Sequence, residues 1–356
     1  MTEQVAGVPG IDIPRLSSWL AARLPGAGQI TGIEVLAGGR SNLTYLVRLG
    51  DRRVVLRRPP LGHVLPTAHD MRREHTVLSA LAGSDVPVPT PLALCTDEEV
   101  IGAPFYVMDH VEGRVLRTVE DAADVTWEEA HALSERLADA LGAIHRLDVE
   151  AAGLGDFGRP QGYMARQLKR WGKQWEASHA ADPGMSAATE ASHERLVKRL
   201  AERLPGEGLT GLVHGDFRLD NALVRLRPVP EIAAVVDWEM STLGDPLSDL
   251  GLTLVYWTDP GDVERQSIPV GSTVTSAPGF LTRREFTDRY ATLTGYDLSD
   301  LDFYVAFGCY KLAVILEGIH ARFLQKATVG EGFDQIGGSV PVLLDRAHRI
   351  LEEGAL

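Results

Sequence analysis

The order of hydrophobic periods along the chain constrains its fold more than any single residue does. Between Ile30 and Met108 the apolar residues come in short β-branched or alternating runs: Ile30–Leu36, Leu43–Leu49, Arg52–Arg57, Pro91–Cys95 and Pro104–Met108. Gly38-Gly39 and Gly50-Asp51 separate the first three as turn residues separate strands. A helical stripe of Leu16, Trp19, Leu20 and Leu24 precedes them within Ile13 to Leu24, and another helix is predicted from Asp70 to Leu81. After residue 110 the period becomes helical. Thr126 followed by Glu129 forms a capping box, and Trp127, Ala130, Leu137, Leu141 and Ile144 repeat behind it at helical spacing. Further helices are predicted over 163–179, 188–203, Leu247–Trp257, Arg283–Thr294, Phe303–Lys326 and Val340–Glu353. A strand island (Gly211–Val213, Ala222–Val224, Ile232–Val236) interrupts them, and residues 260–280, rich in Pro, Gly, Ser and Thr, read as a long loop. Strands first and helices second predict an α+β protein of two lobes, 1–109 and 110–356.

Composition narrows the function classes. With 356 residues, 44% hydrophobic and 24% charged, the chain has length for a real core and the balance of an ordinary globular protein, which excludes disorder over most of it. The most apolar stretches, Leu250–Trp257 and Tyr304–Leu316, are short or carry Lys311, so no membrane span is expected. Acidic residues outnumber basic ones 49 to 35, a net charge of −14 that repels phosphate backbones and argues against sequence-independent nucleic-acid binding. Cys95 and Cys309 lie far apart without a CxxC pair, and no basic-then-apolar leader opens the chain. Both fit a cytoplasmic protein. No feature sets an oligomeric state.

The segment Val213-His214-Gly215-Asp216-Phe217-Arg218-Leu219-Asp220-Asn221 lies between two short apolar strands, so it is predicted to be a tight loop on a rigid base. Val235-Val236-Asp237-Trp238-Glu239 then delivers an acid at a strand end. Two acids and an amide on neighbouring loops suit a magnesium–phosphate site, because the hard cation takes oxygen ligands. A further carboxylate can accept a hydroxyl proton.

The spacing H-x-D-x-x-x-x-N, followed by an acid at a strand end, resembles the catalytic signature of kinase-like folds. With Gly215, Asp237-Trp238 and Gly244-Asp245-Pro246-Leu247-Ser248-Asp249-Leu250, the chain is similar to the aminoglycoside phosphotransferase family, which includes choline and other small-molecule kinases. The resemblance runs from about residue 30 and implies a protein-kinase-like fold: a strand-rich nucleotide-binding N-lobe and a mostly helical C-lobe carrying the catalytic loop, metal site and acceptor pocket. It implies ATP or GTP as donor, Mg2+ as cofactor and a small hydroxylated molecule as acceptor. Asp216 then matches the catalytic base, Asn221 a magnesium ligand, Asp237 the principal magnesium ligand, and His214 a loop-organising histidine. Arg218 stands where protein kinases place a phosphate-contacting lysine, and Asp249 resembles an acid bracing the loop from behind.

In the N-lobe the resemblance implies that Gly38, Gly39 and Ser41 form the nucleotide-covering loop; alone, a Gly-Gly pair reads equally as a turn. The phosphate-anchoring position, usually Lys, is Arg57 beside Arg58, and alternation with Val55 favours Arg57. Glu74 is its natural partner, or a solvated helix face. Met108 and Val111 are adenine-pocket candidates or core filler. Trp238, Glu239, Tyr256, Trp257, Tyr310 and Glu317 fall in regions that build the acceptor pocket in the family. His145 and the stripe Tyr163, Trp171, Trp175 read as structural.

Arg57-Arg58-Pro59-Pro60 and Trp238-Glu239 look closer to the kinase-like domains associated with acyl-CoA dehydrogenases than to resistance enzymes, making a hydroxyacyl metabolite a competing acceptor. Arg57 in the Lys position and Glu239 where kinases have glycine also leave open a catalytically silent nucleotide-binding module. A metal-dependent phosphoesterase fits less well, since no Gly-Asn-His partner motif accompanies the Gly-Asp loop.

Overall fold

The computed structural model describes residues 8–36, 42–61, 69–179, 184–206, 208–268, 271–325 and 336–356. It divides into two compact units, Met1–Gly113 with Ala233–Ser241, and Arg114–Ile232 with Thr242–Leu356. The segment 233–241 therefore belongs with the strand-rich unit, unlike in the sequence-based division at residue 110.

The first unit opens with helix α1 (Ile13–Arg23), capped by Asp12 and carrying proline in its first turn, followed by β1 (Ile30–Val35), β2 (Leu43–Leu49) and β3 (Arg52–Arg58). Helix α2 (Met71–Leu81) starts at Asp70, whose carboxylate accepts from the Arg72 backbone N–H at 2.9 Å, a cap worth about 1 kcal/mol. Strands β4 (Pro91–Cys95) and β5 (Phe105–Asp109) complete an antiparallel sheet of order β1-β2-β3-β5-β4. The side-chain period of two divides this sheet by face. Tyr45, Val47, Leu49, Val54, Leu56, Phe105 and Val107 form one core with Leu16 and Leu20 of α1. Arg57 pairs opposite Tyr106, so both project from the other face, where Glu74 of α2 meets them.

In the second unit α3 (Trp127–His145) begins with the expected capping box: Glu129 N–H donates to Thr126 Oγ1 at 3.2 Å, and Thr126 N–H to the Glu129 carboxylate at 2.9 Å. Then come α4 (Tyr163–His179), α5 (Ala187–Glu202), β6 (Gly211–Val213), β7 (Ala222–Arg225), β8 (Glu231–Val235) and β9 (Thr242–Gly244). Strand β8 carries the chain into the first unit, and β9 returns to pair antiparallel with β6. Strand β9 has three residues, too few for a periodic signal, and was not foreseen.

Helices α6 (Leu247–Tyr256), α7 (Val263–Gln266), α8 (Arg283–Thr294), α9 (Leu301–Leu324) and α10 (Ser339–Glu353) finish the chain. The α9 helix is long and apolar enough by length and composition to cross a membrane, contrary to the sequence expectation. Its most apolar window is 78% buried inside the protein, where it packs on α4, α6 and α10 as a core helix. The stretch 260–280, expected as loop, contains α7 and a single helical turn at Val274–Ser276. Arg265 of α7 is fully buried and donates from Nε to Val255 O at 3.0 Å. A periodicity test passes over so short a helix.

Candidate active site

Two clusters of chemistry-bearing residues stand out, one in each unit. In the first, Arg57 is the hub. The β3 register buries its side chain to 11% exposure. Its Nε lies 2.9 Å from Glu74 Oε2 and its Nη2 lies 2.5 Å from Asp237 Oδ1, with Glu239 Oε2 at 3.8 Å. Three carboxylates thus share one guanidinium. Glu74 is the most deeply buried of them, and burial pushes its carboxyl up to about 7. Arg57 and a hydrogen bond from Tyr106 Oη at 2.9 Å oppose that shift, while the charges of Asp237 and Glu239 reinforce it. The solvated-face reading of Glu74 is thereby overturned: tertiary packing on the sheet, rather than helix amphipathicity, decides its environment.

Two residues that sequence reasoning did not single out complete this cluster. Asn42 is 2% exposed and donates from Nδ2 to Glu74 Oε1 at 3.0 Å and Glu239 Oε2 at 2.9 Å. Tyr106 is buried on β5, one strand over. A polar residue opening an apolar strand is the only sequence signal for Asn42, and β-propensity masks Tyr106. The neighbouring Arg58, the rejected anchor, donates instead to the Gly10 and Ile101 carbonyls and the adjacent Pro59 carbonyl.

Asp237 follows β8 in the left-handed region, φ 69° and ψ 55°, a conformation few non-glycine residues adopt. Such strain concentrates at functional positions because surrounding contacts must hold it. Here the Val235 N–H donates to Pro87 O at 2.7 Å, and the Trp238 indole N–H donates back to Val235 O at 3.0 Å. Trp238 is 2% exposed, so it is a packing residue of this turn and not the acceptor contact expected of it. Met108 is buried on β5 and Val111 half-buried after it. Gly38, Gly39 and Ser41 lie outside the described residues.

The second cluster is the 213–221 loop. Its backbone is pinned from behind: Asp249 of α6 accepts the His214 N–H on Oδ2 at 2.6 Å and the Gly215 N–H on Oδ1 at 2.8 Å. His145, at the end of α3, sits between Asp249 (Nε2 to Oδ2, 3.4 Å) and the Tyr290 hydroxyl (Nδ1, 2.6 Å). Burial alone would raise the Asp249 carboxyl, but the hydrogen bond and charge of His145, with the loop donors, hold it below the ordinary carboxylate range. Asp216 donates its N–H to His214 Nδ1 at 3.3 Å, which makes His214, fully buried, an internal prop of the loop.

Asn221 donates from Nδ2 to the Asp216 carbonyl at 2.8 Å and to Asp216 Oδ2 at 3.0 Å. Its amide oxygen is left as the remaining acceptor. Arg218 Nε lies 3.4 Å from Asp216 Oδ2 and Nη1 lies 3.6 Å from Asp220 Oδ2, with the guanidinium carbon 4.8 Å over the Tyr256 ring. Burial raises the Asp220 carboxyl, against the pull of Arg218. Lys311 of α9 donates to Gly215 O at 2.9 Å. Sequence reading registered Lys311 only as a charge interrupting an apolar run.

Other expected acceptor residues sit deeper. Trp257 donates its indole N–H to Leu281 O at 2.8 Å and packs on Phe286, a core role. Tyr310 and Glu317 are 0% and 2% exposed on α9. Tyr310 lies beside His193, which stacks on Trp175 with ring centroids 4.0 Å apart.

Strand-delivered acids, a pinned H-x-D-x-x-x-x-N loop and a buried Arg–Glu pair define a phosphotransferase architecture. The family description "Phosphotransferase enzyme family" matches residues 32–272, and the chain belongs to that family. Its α+β fold is accordingly the kinase-like one. Among its relatives is acyl-CoA dehydrogenase family member 11 of Rattus norvegicus, 35% identical over 324 residues, covering 88% of this chain and 40% of that protein. The chain thus spans less than half of the length of the acyl-CoA dehydrogenase relatives it matches. A solved structure from Ralstonia eutropha JMP134, provisionally named an aminoglycoside phosphotransferase, is 31% identical with a TM-score of 0.79, covering 95% of this chain and 98% of that one. At 17% identity and a TM-score of 0.59, a thermostable mutant of the aminoglycoside phosphotransferase APH(4)-Ia, solved in ternary complex with ADP and hygromycin B, shares the fold over 96% of this chain and 99% of that one.

Proposed function

We propose that this protein transfers the γ-phosphoryl group of ATP or GTP to a hydroxyl of a small molecule. The observation that carries the reading is the Asp216 carboxylate, oriented by Asn221 at 3.0 Å on a loop whose backbone is fixed by Asp249. In this reading Asp216 orients the acceptor hydroxyl and takes its proton, while Arg218 offsets charge on the transferred group. Arg57, held by Glu74, anchors the donor phosphates, with Met108 and Val111 flanking the base. The complex of APH(4)-Ia with ADP supports nucleotide as donor.

The donor set fits magnesium. Asn221 has its amide nitrogen engaged on Asp216, leaving Oδ1 as a hard ligand; Asp237 has Oδ1 on Arg57, leaving Oδ2. When bound, the ion would offset phosphate charge. Asn221 in the second unit and Asp237 in the first are each, taken singly, a residue whose free oxygen magnesium would take.

For the acceptor, 35% identity to an acyl-CoA dehydrogenase family member supports a hydroxylated acyl metabolite, and 31% identity to the Ralstonia eutropha structure named for an aminoglycoside supports the alternative. The Arg57–Asp237 contact favours a second reading, a module that binds nucleotide without transferring phosphate, because it engages the metal ligand. Titration calorimetry with Mg-ATP and Mg-GTP, beside a transfer screen over hydroxyacyl metabolites and aminoglycosides, decides. Transfer that vanishes in Asp216→Asn with binding intact supports the kinase; binding without transfer supports the module; unaffected turnover in the variant refutes the role of Asp216.

A further inference from the structure

The peptide plane joining Gly215 to Asp216 is held at both ends. Its N–H, that of Asp216, donates to His214 Nδ1 at 3.3 Å; its C=O, that of Gly215, accepts from Lys311 Nζ at 2.9 Å. Gly215 has φ 89°, in the region that favours glycine, where L side chains are strained. The same freedom that lets glycine adopt this conformation lets the plane rotate away from it, turning the Asp216 side chain with it. Asp249 cannot prevent that rotation, because it fixes the N–H groups of His214 and Gly215 and leaves the following plane free.

We propose that Lys311 is a positioning residue for Asp216, locking the 215–216 peptide plane from the core helix α9. This rests on the reading of Asp216 as the catalytic base. Lys311 is half-buried on α9, its sequence neighbours Tyr310 and Leu312 are essentially unexposed, and its ammonium lies 5.6 Å from the Trp171 ring. Burial lowers its pKa; the charges of Asp216 on the loop and Asp249 on α6 oppose this, and Arg170 on α4 adds to it. A hydrogen bond from a charged donor to a carbonyl is among the stronger ones, which suits a lock on a flexible glycine.

The test uses the full chain with Mg-ATP and water as acceptor, comparing Lys311→Met and Lys311→Arg with the wild type. For Lys311→Met we expect kcat for ATP hydrolysis to fall about tenfold or more with KM for ATP unchanged, and partial rescue in Lys311→Arg. Hydrogen exchange of the 213–221 amides is expected to quicken in Lys311→Met and return toward wild type in Lys311→Arg. Unchanged exchange overturns the proposal, as does a KM increase matching the fall in kcat. A wild type without hydrolysis or transfer defeats the kinase reading instead; exchange in the two variants then still decides whether Lys311 holds the loop.

Discussion

Arg57 and Asp237, 180 residues apart in the chain, place guanidinium Nη2 and carboxylate Oδ1 2.5 Å from each other within one compact unit. The same guanidinium faces Glu74 at 2.9 Å, so a single cation organises an acid from a helix and an acid from a strand end. The bond to Glu74 is buried on both sides and is therefore structural.

Removing that cation is expected to be costly. Arg57→Met leaves Glu74 buried without its counter-charge, and urea unfolding at a pH well above about 7, where the carboxyl is ionised in the wild type, should show a loss of about 3–5 kcal/mol. Arg57→Met with Glu74→Leu should recover much of this, since no buried charge remains. Arg57→Lys should recover less, because one ammonium does not span two carboxylates. A single variant as stable as wild type would remove Arg57 from the role of hub.

Glu74 carries a pH signature. Its carboxyl is pushed up to about 7 by burial, from an ordinary value of 4.5. Between those values the folded state binds more protons than the unfolded one, so the contribution of Glu74 to stability is fully present below about 4.5 and is lost as pH rises through 7. Stability of Glu74→Gln should lack this decline, the difference reaching no more than about 3 kcal/mol. A carboxyl carbon resonance of Glu74 titrating near 4.5 would contradict the assignment.

Asp249 should behave in the opposite sense. Its folded carboxyl is held below the ordinary range, so its contribution is present above about 4, and is lost as pH falls through the folded value. Asp249→Asn replaces one acceptor oxygen with a donor facing a loop N–H and should cost about 1–3 kcal/mol at neutral pH. It should also flatten the acid limb of the stability curve. Identical acid limbs in wild type and variant would place the acid sensitivity elsewhere.

Asn221 holds Asp216, the proposed base, and is itself a proposed magnesium ligand. Asn221→Ala removes both hydrogen bonds to Asp216 and the amide oxygen, so ATP turnover should fall about tenfold or more and half-saturation by Mg2+ should move to higher concentration. Turnover reduced at an unchanged magnesium requirement would leave Asn221 as a prop for Asp216 alone.

Much of the architecture was legible because it is locally encoded. A capping box announced α3, alternation announced β2 and β3, and the H-x-D-x-x-x-x-N spacing announced the loop. The alternation rule also separated Arg57 from Arg58, and the structure places Arg57 on the acids and Arg58 on backbone carbonyls. Less visible were elements too short to have a period, β9 and α7, and side chains whose partners are distant. Trp238 and Trp257 illustrate the second kind. Both fall in regions that build the family's acceptor pocket, and both are buried with their indole N–H groups on carbonyls.

Residue order alone was enough to specify most of the longer strands and helices and the spacing of the H-x-D-x-x-x-x-N segment, since both depend on neighbours within a few positions. Burial, charge balance and peptide orientation were settled only by packing: a neutral-leaning Glu74, a left-handed Asp237, an Asp249 clamped by His145, a lysine in a core helix. The reason is physical. A carboxylate's proton affinity and a glycine's φ respond to charges and hydrogen bonds that arrive from 32 to 180 residues away, and only the folded chain brings them within a few ångströms.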